Sequence, residues 1–201
     1  MTSTSVWRAR ETMASRLPKH LFLDANVLYS PIAFDVFLTL AEQGAVEAMW
    51  SHTVVDEALR AIDRRSPQVT GAAAKRFEVA GKFFRTALVE GWEDTVDDIS
   101  GLPDPDDRHV VAAATEGGCE AIITFNLRDF PADALRPHRL TAINPDDYLV
   151  KLLTDDAPTV HRAMQALEDA KRNPPRNREE ERGLLARSGL VRFAEALAPG
   201  Q

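Results

Sequence analysis

Residues 21–24 read Leu-Phe-Leu-Asp, a short apolar run that stops at a carboxylate. A continuous apolar run is typical of a strand that is covered on both faces of its sheet. Comparable short runs follow at residues 46–50, 121–125 and 139–142, and longer segments with helical spacing separate them. Strands that alternate with helices indicate βαβ units. The pattern therefore predicts an α/β domain with a central, mainly parallel sheet.

The helices are predicted from apolar residues at helical spacing and from residues that favour helix ends. Pro31 can open the first helix, because a proline lacks the N–H that the first helical turn leaves unpaired. Ser51 or Thr53 is expected to cap the second helix. A third helix is expected over residues 71–88, with Phe77, Phe83 and Phe84 facing inward, and a fourth over residues 104–115.

The composition limits the chemistry of the protein. The chain has 201 residues, of which 44% are hydrophobic and 27% charged, so it can bury a core without disulfides or a structural metal. Its 24 basic and 31 acidic residues give a net charge of −7, which excludes a protein that coats nucleic acid by bulk basicity. An enzyme that binds a divalent metal through carboxylates is not excluded.

Cysteine content and hydropathy favour a cytoplasmic location. Cys119 is the single cysteine, so an internal disulfide is excluded and a reducing compartment is expected. No apolar stretch approaches the length of a membrane span. Polar residues interrupt the apolar segment after the basic N-terminal residues, which argues against a signal peptide.

Three regions are distinguished along the chain: a leader over residues 1–19, the α/β domain over residues 20–153 and a helical extension over residues 154–201. Between residues 171 and 192 the extension carries seven Lys or Arg residues against three Glu residues, a local balance of +4. An Asn-Pro-Pro segment within it is expected to separate two helical pieces, at residues 158–171 and 178–197.

Acidic and amide residues follow the predicted strands or open the helix that precedes one of them. They are Asp24 with Asn26, Asp104 with Asp106 and Asp107, and Asn126 with Asp129. Parallel sheets bind their ligands at the carboxyl ends of the strands. Several carboxylates that converge there repel one another unless a cation holds them. Oxygen ligands suit Mg²⁺ or Mn²⁺, so one of these ions is the expected cofactor.

Each acidic group also has a purely structural interpretation. Asp24 can be a strand-end turn residue, and Asp104 can cap the helix that follows it. Asp56 and Glu57 flank the apolar stripe of their helix on opposite sides, and helical geometry does not choose between them. His109 lies about 200° around the helix from Asp107 and is expected at the surface or in a groove.

Other familiar site types are absent from the sequence. The five histidines and the single cysteine show no spacing typical of a structural zinc site. The chain has no glycine-rich phosphate-binding loop and no serine in a nucleophile-elbow context. The acidic residues are therefore the candidates for catalysis.

Four segments together resemble a PIN domain. LFLDANVL spans residues 21–28, Glu57 follows about thirty residues later, DRHVVAAA spans residues 107–114, and IITFNLRDF spans residues 122–130. The relatives that this pattern suggests are VapC-type toxins of bacterial type II toxin–antitoxin modules. The resemblance covers roughly residues 20–150. It implies a PIN-like α/β/α sandwich with a C-terminal helical extension, and a metal-dependent endoribonuclease activity.

The resemblance also assigns roles to individual residues. Three acids of the family match Asp24, Glu57 and Asp107, and the fourth acidic position falls at Asn126 or Asp129. Asp24, Asp107 and Asp129 are then expected to bind Mg²⁺ or Mn²⁺, and Glu57 to orient or activate the attacking water.

Further residues are expected to support these acids. Asp104 is an expected extra metal ligand through water, and Asn26, Thr124 and Asn126 are expected to lie behind the ligands. Asn126 stands where the family often has Asp, and Asp129 three residues later can supply the fourth carboxylate instead.

The implied partners are an RNA substrate (a tRNA, rRNA or mRNA), a cognate antitoxin protein and, in a homodimer, a second copy of the chain. Three alternatives stay open: a housekeeping PIN nuclease without an antitoxin, a degenerate PIN module that binds RNA or protein without cutting, and a phosphatase of another α/β family. The basic extension can bind RNA phosphates, pack on the core or contact a partner. Without further information, we expect it to be a solvated helix.

Overall fold

A four-stranded parallel sheet organises the computed structural model, which describes residues 16–170 and 178–198. The strand order is β2-β1-β3-β4, and every neighbouring pair is parallel. The strands are β1 (His20–Leu23), β2 (Glu47–Met49), β3 (Ala121–Ile123) and β4 (Thr141–Ile143). The predicted α/β class with a central parallel sheet is confirmed.

Helices and short 3₁₀ turns connect and cover these strands. The helices are α1 (Ala25–Tyr29), α2 (Pro31–Glu42), α3 (His52–Arg65), α4 (Thr70–Phe83), α5 (Arg108–Glu116), α6 (Ala132–Leu135), α7 (Pro145–Asp155), α8 (Ala157–Ala170), α9 (Arg178–Arg187) and α10 (Val191–Ala196). The 3₁₀ turns are Pro67–Val69, Glu93–Asp98, Pro105–Asp107, Leu127–Asp129 and Arg136–His138.

Both faces of the central strands are covered. Successive side chains of a strand point to opposite faces of the sheet. Leu21, Phe22 and Leu23 are all 0% exposed, and so are the three residues of β3. This burial explains why β1 shows a continuous apolar run instead of an alternating pattern.

Two helices begin at serine residues whose side chains cap them, in agreement with the sequence analysis. Ser30 caps α2 by accepting a hydrogen bond from the Ala33 N–H, with Pro31 in the first turn. Ser51, and not Thr53, caps α3, since its buried hydroxyl accepts from the Val54 N–H at 3.4 Å.

The helix expected over residues 71–88 ends earlier, and the prediction that Phe83 faces inward is wrong. The last residue of α4 is Phe83, whose side chain is 63% exposed. Residues 84–87 form a bend and turn, and the chain then pairs with Trp50: the Trp50 N–H donates to the Ala87 carbonyl, and the Val89 N–H donates to the Trp50 carbonyl. Backbone pairing with a distant segment thus ends the helix before its apolar pattern does.

The C-terminal extension packs on the domain, so its interpretation as a solvated helix is wrong for residues 178–198. Leu185, Leu190 and Phe193 are each 0% exposed. The expected helix over 178–197 is also divided, because Gly189 adopts a positive φ of 90° between α9 and α10. Residues 1–15 of the leader and residues 171–177, with three basic residues and the Asn-Pro-Pro segment, lie outside the described residues.

A buried carboxylate of α7 holds α10 in place. Asp146 accepts hydrogen bonds from the Arg192 N–H at 3.0 Å and from the Phe193 N–H at 2.8 Å, and it is only 8% exposed. These N–H groups belong to the first turn of α10, which has no partner for them within its own helix.

None of the described helices is long and apolar enough to cross a membrane.

We expect Asp146→Ala to lower the free energy of unfolding by about 2 kcal/mol, because one buried and one partly buried N–H group lose a charged acceptor. Urea denaturation followed by circular dichroism measures this change. Asp147→Ala is the matched control, since Asp147 forms only an exposed ion pair with Arg192, and such pairs contribute little. Equal destabilisation by the two variants would contradict the capping role.

Candidate active site

Acidic residues gather where β1 and β3 end. Asp24 directly follows β1, and its N–H donates to the carbonyl of Ile123, the last residue of β3, at 3.1 Å. The loop that continues β3 contains Thr124, Asn126 and Asp129. Because the two strands are neighbours and parallel, their following residues meet at one edge of the sheet.

Asp24 is held by hydrogen bonds through both of its carboxylate oxygens. Its Oδ1 accepts from the Ala25 N–H at 2.7 Å, which caps the short helix α1. Its Oδ2 accepts from the Thr124 hydroxyl at 2.7 Å and from the Asn26 side-chain amide. Burial raises the pKa of Asp24 above its ordinary value, against the effect of the hydrogen bonds from Thr124 and Ala25, which lower it.

Asn26 and Thr124 link the loop after β1 to the loop after β3. The Asn26 amide donates to the Thr124 hydroxyl at 2.9 Å, and its oxygen accepts from the Phe125 N–H at 3.0 Å. Thr124 is fully buried, and its hydroxyl also accepts from the Asn126 N–H at 3.0 Å. These residues lie behind the Asp24 carboxylate and limit its rotation.

Asp107 lies in the same electrostatic field as three other acids. Burial raises its pKa to about 6, and the negative charges of Asp129, Asp24 and Asp104 add to that rise. Asp104 is exposed and also caps the 3₁₀ turn, since its side chain accepts from the Asp106 N–H at 2.9 Å. The capping interpretation of Asp104 is therefore correct, and its charge still acts on Asp107.

Asp129 is the carboxylate of the loop after β3 that acts on Asp107. The Asn126 side-chain amide donates to Asp129 Oδ2, and the Asp129 N–H donates to the Asn126 carbonyl at 3.2 Å. Asn126 thus restrains Asp129, while the charge beside Asp107 belongs to Asp129.

The structure distinguishes the two acids of α3. Asp56 is exposed, whereas Glu57 faces the cluster with its side chain 34% exposed. Glu57 Oε1 lies 3.0 Å from His109 Nε2. The charge of Glu57 also raises the pKa of Asp24.

His109 was wrongly expected at the surface or in a groove. Its side chain is 11% exposed, it contacts Glu57, and its ring centre lies 6.0 Å from that of Trp92. Protein surrounds α5 on all sides, since residues 110–114 are each 0% exposed, so the angle from Asp107 does not predict solvent exposure. The signal in the sequence was the unbroken apolar run that follows His109.

The candidate ligands for a divalent cation in this cluster are carboxylates. Within residues 16–170 and 178–198, no three His, Cys, Asp or Glu side chains are arranged to hold a metal ion together. The donor chemistry does fit, because oxygen ligands predominate and neighbouring acids raise the pKa of Asp107 and Asp24. A bound cation would relieve this repulsion.

Comparisons with known proteins agree with the resemblance. Residues 20–128 match a family model described as PIN domain, and residues 145–199 match one described as VapC50 C-terminal domain. A Mycobacterium tuberculosis protein named "Putative ribonuclease VapC50" is 41% identical over 69 residues, which are 34% of this chain and 41% of that protein. The match thus spans about two fifths of that relative. No solved structure matches the chain significantly.

We expect Asp107→Asn to stabilise the metal-free protein at pH 7.5 and to change little at pH 4. The folded protein holds the Asp107 proton more tightly than the unfolded chain, so ionisation destabilises the fold as the pH rises from about 4 through about 6. Solvent screening of this half-buried group reduces the expected gain to about 1 kcal/mol.

Urea denaturation in EDTA at both pH values measures this gain. Asp106→Asn is the control, because Asp106 is an exposed acid of the same turn. A gain for Asp107→Asn that is the same at pH 4 and pH 7.5 would show that the carboxyl charge is not its cause.

Proposed function

The chain belongs to the PIN domain family, and from this premise we propose that it is a metal-dependent endoribonuclease that hydrolyses RNA phosphodiester bonds. The observation that carries the proposal is the convergence of Asp24, Glu57, Asp107 and Asp129 on one edge of the sheet. Besides burial, the charge of Glu57 raises the pKa of Asp24, and the charges of Asp129 and Asp24 raise the pKa of Asp107. Hydrolysis of a phosphodiester needs an activated water and a positive charge beside the phosphate. An acidic, partly solvated pocket can supply both once it binds a divalent cation.

Asp24, Asp107 and Asp129 are the proposed ligands of Mg²⁺ or Mn²⁺, with Asp104 as a ligand through water. When bound, the cation would polarise the phosphate and lower the pKa of a coordinated water. The hydrogen bonds from Thr124 and Asn26 occupy both lone pairs of Asp24 Oδ2, whereas Oδ1 accepts one bond, from the Ala25 N–H. Asp24 can therefore keep these bonds and bind a cation through the second lone pair of Oδ1.

Glu57 is the proposed acceptor of the proton from the attacking water. Its side chain is partly exposed, so water reaches it, and the contact with His109 Nε2 fixes its orientation. Asn26, Thr124 and Asn126 are proposed as positioning residues, because they orient Asp24 and Asp129 through hydrogen bonds and leave the face toward solvent to the acids.

We also propose that the protein is the toxin of a type II toxin–antitoxin module, with a cognate antitoxin as its partner. The match of residues 145–199 supports this proposal, because the matching model describes the C-terminal domain of a VapC-type protein. The RNA target and the proposed homodimer are further predictions.

We expect Asp24→Asn to reduce RNA cleavage by at least about 100-fold, because the substitution removes a metal ligand charge. Asparagine still provides an oxygen that can cap α1, so the circular dichroism spectrum and the cooperative unfolding transition should persist. The assay incubates nuclease-free protein with total RNA and Mg²⁺ or Mn²⁺ and maps the cut ends. Cleavage by the variant at the wild-type rate would remove the proposed mechanism.

A second pair of substitutions tests the choice between neighbouring acids of α3. Glu57→Gln should reduce the cleavage rate by at least about 100-fold, since glutamine cannot accept a proton from water. Asp56→Asn removes the same charge one residue away on an exposed position, and its rate should stay within about twofold of wild type. Equal losses would mean that Glu57 has no specific role.

A further inference from the structure

On the basis of the proposed nuclease function, we infer that a cavity of about 650 Å³ beside the acids binds one unpaired nucleotide of the RNA substrate. We further infer that Arg187, at the end of α9, contacts a phosphate of that nucleotide. The cavity lies between the start of α2, the end of α3, the first turns of α4 and the end of α9. The C-terminal extension would then form one wall of the substrate site.

The cavity adjoins the residues that hold Asp24, and the four candidate catalytic acids themselves do not line it. Asn26 and Phe125 line it. Asn26 donates a hydrogen bond to Asp24, and Phe125 follows Thr124, whose hydroxyl also donates to Asp24. A single strand whose scissile phosphate lies at the acids would therefore place a neighbouring nucleotide at this cavity.

The lining has the chemistry of a base-binding pocket. Its volume lies within the range of pockets that enclose small organic ligands. Its lining residues include the apolar Ile62 and Val69, the aromatic Tyr29 and Phe125, and the hydroxyl-bearing Ser66. Proteins recognise unpaired RNA bases by stacking on aromatic side chains and by hydrogen bonds to base edges.

The charged side chains that line the cavity favour a ligand with a negatively charged phosphate over a basic ligand. Arg76 also lines the cavity, but its guanidinium is already paired with Asp35 and donates to the Pro31 carbonyl at 2.6 Å. Arg187 is exposed, and its side chain forms no hydrogen bond or ion pair that involves another of the described residues. On a chain of net charge −7, this cation beside the acids is complementary to the phosphodiester backbone.

Packing holds the end of α9 against the site. A Cβ added to Gly189 would lie 2.8 Å from Phe125 Cε1, so the turn after Arg187 rests on the aromatic ring that lines the cavity. Leu185 and Leu190 on either side of this turn are fully buried. The position of Arg187 is therefore set by the core and not by a loose tail.

Binding of a fluorescein-labelled single-stranded oligoribonucleotide of about 12 nucleotides tests the inference, with fluorescence anisotropy in EDTA so that no cleavage occurs. Arg187→Ala should weaken binding about tenfold and lower the slope of log affinity against log salt by about one. The matched control is Arg85→Ala, an exposed arginine that does not line the cavity, and its affinity should stay within about twofold of wild type.

Substitution of each nucleotide in turn by an abasic one tests the base pocket without any protein variant. At one position the loss of the base should weaken wild-type binding by at least about fivefold. Ala73→Trp, which fills the cavity from α4, should weaken binding of the intact strand and remove the dependence on that position. A flat abasic scan of the wild type would overturn the base pocket.

The outcomes separate this inference from the proposed function. The inference is overturned if Arg187→Ala binds RNA with the same affinity and salt dependence as the wild type, or if the wild type does not bind RNA in EDTA. Either result overturns it even where the wild type cleaves RNA with Mg²⁺ or Mn²⁺. Absence of cleavage by the wild type, with binding that depends on Arg187 and the cavity, overturns only the nuclease. A polyglutamate peptide tests whether Arg187 binds an acidic protein instead. If Arg187→Ala loses binding to this peptide and keeps its binding to RNA, the inference is overturned in favour of a protein ligand.

Discussion

The hydrogen bonds that Asp24 accepts from Thr124 and Asn26 join the ends of two neighbouring strands. Asp24 follows β1 and Thr124 follows β3, so the order of the sheet brings the two residues together across 100 positions of sequence. A buried carboxylate without such donors would be costly, and with them it holds one orientation. The remaining acids are arranged around this fixed group.

Opposing charges shape the surface around that group. Burial raises the pKa of Asp107, and the charges of neighbouring acids add to that rise, so the fold keeps these carboxylates close against their repulsion. The extension adds Arg187 at the rim of the neighbouring cavity, on a turn that packs against Phe125. A site that has both a carboxylate cluster and a nearby guanidinium can bind a cation and a phosphate side by side.

Much of the fold was predictable because burial leaves a direct mark on the sequence. The run at residues 21–24 identified β1, and the proline and serine signals identified the starts of α2 and α3. The prediction failed where a distant segment overrode the local pattern. The pairing of Trp50 with the chain after Phe84 ended α4, and this pairing cannot be seen from helical spacing.

The candidate site likewise has features that the sequence predicts and features that it does not. The sequence by itself determined that Asp24 and Asp107 stand next to a strand end and a helix start, because apolar runs and turn residues mark these points locally. It could not choose between Asp56 and Glu57, nor show that His109 is buried against Glu57. Only the tertiary structure decided these questions, because the side of a helix that meets another element depends on how the elements pack, and the spacing of residues within one helix contains no information about its neighbours.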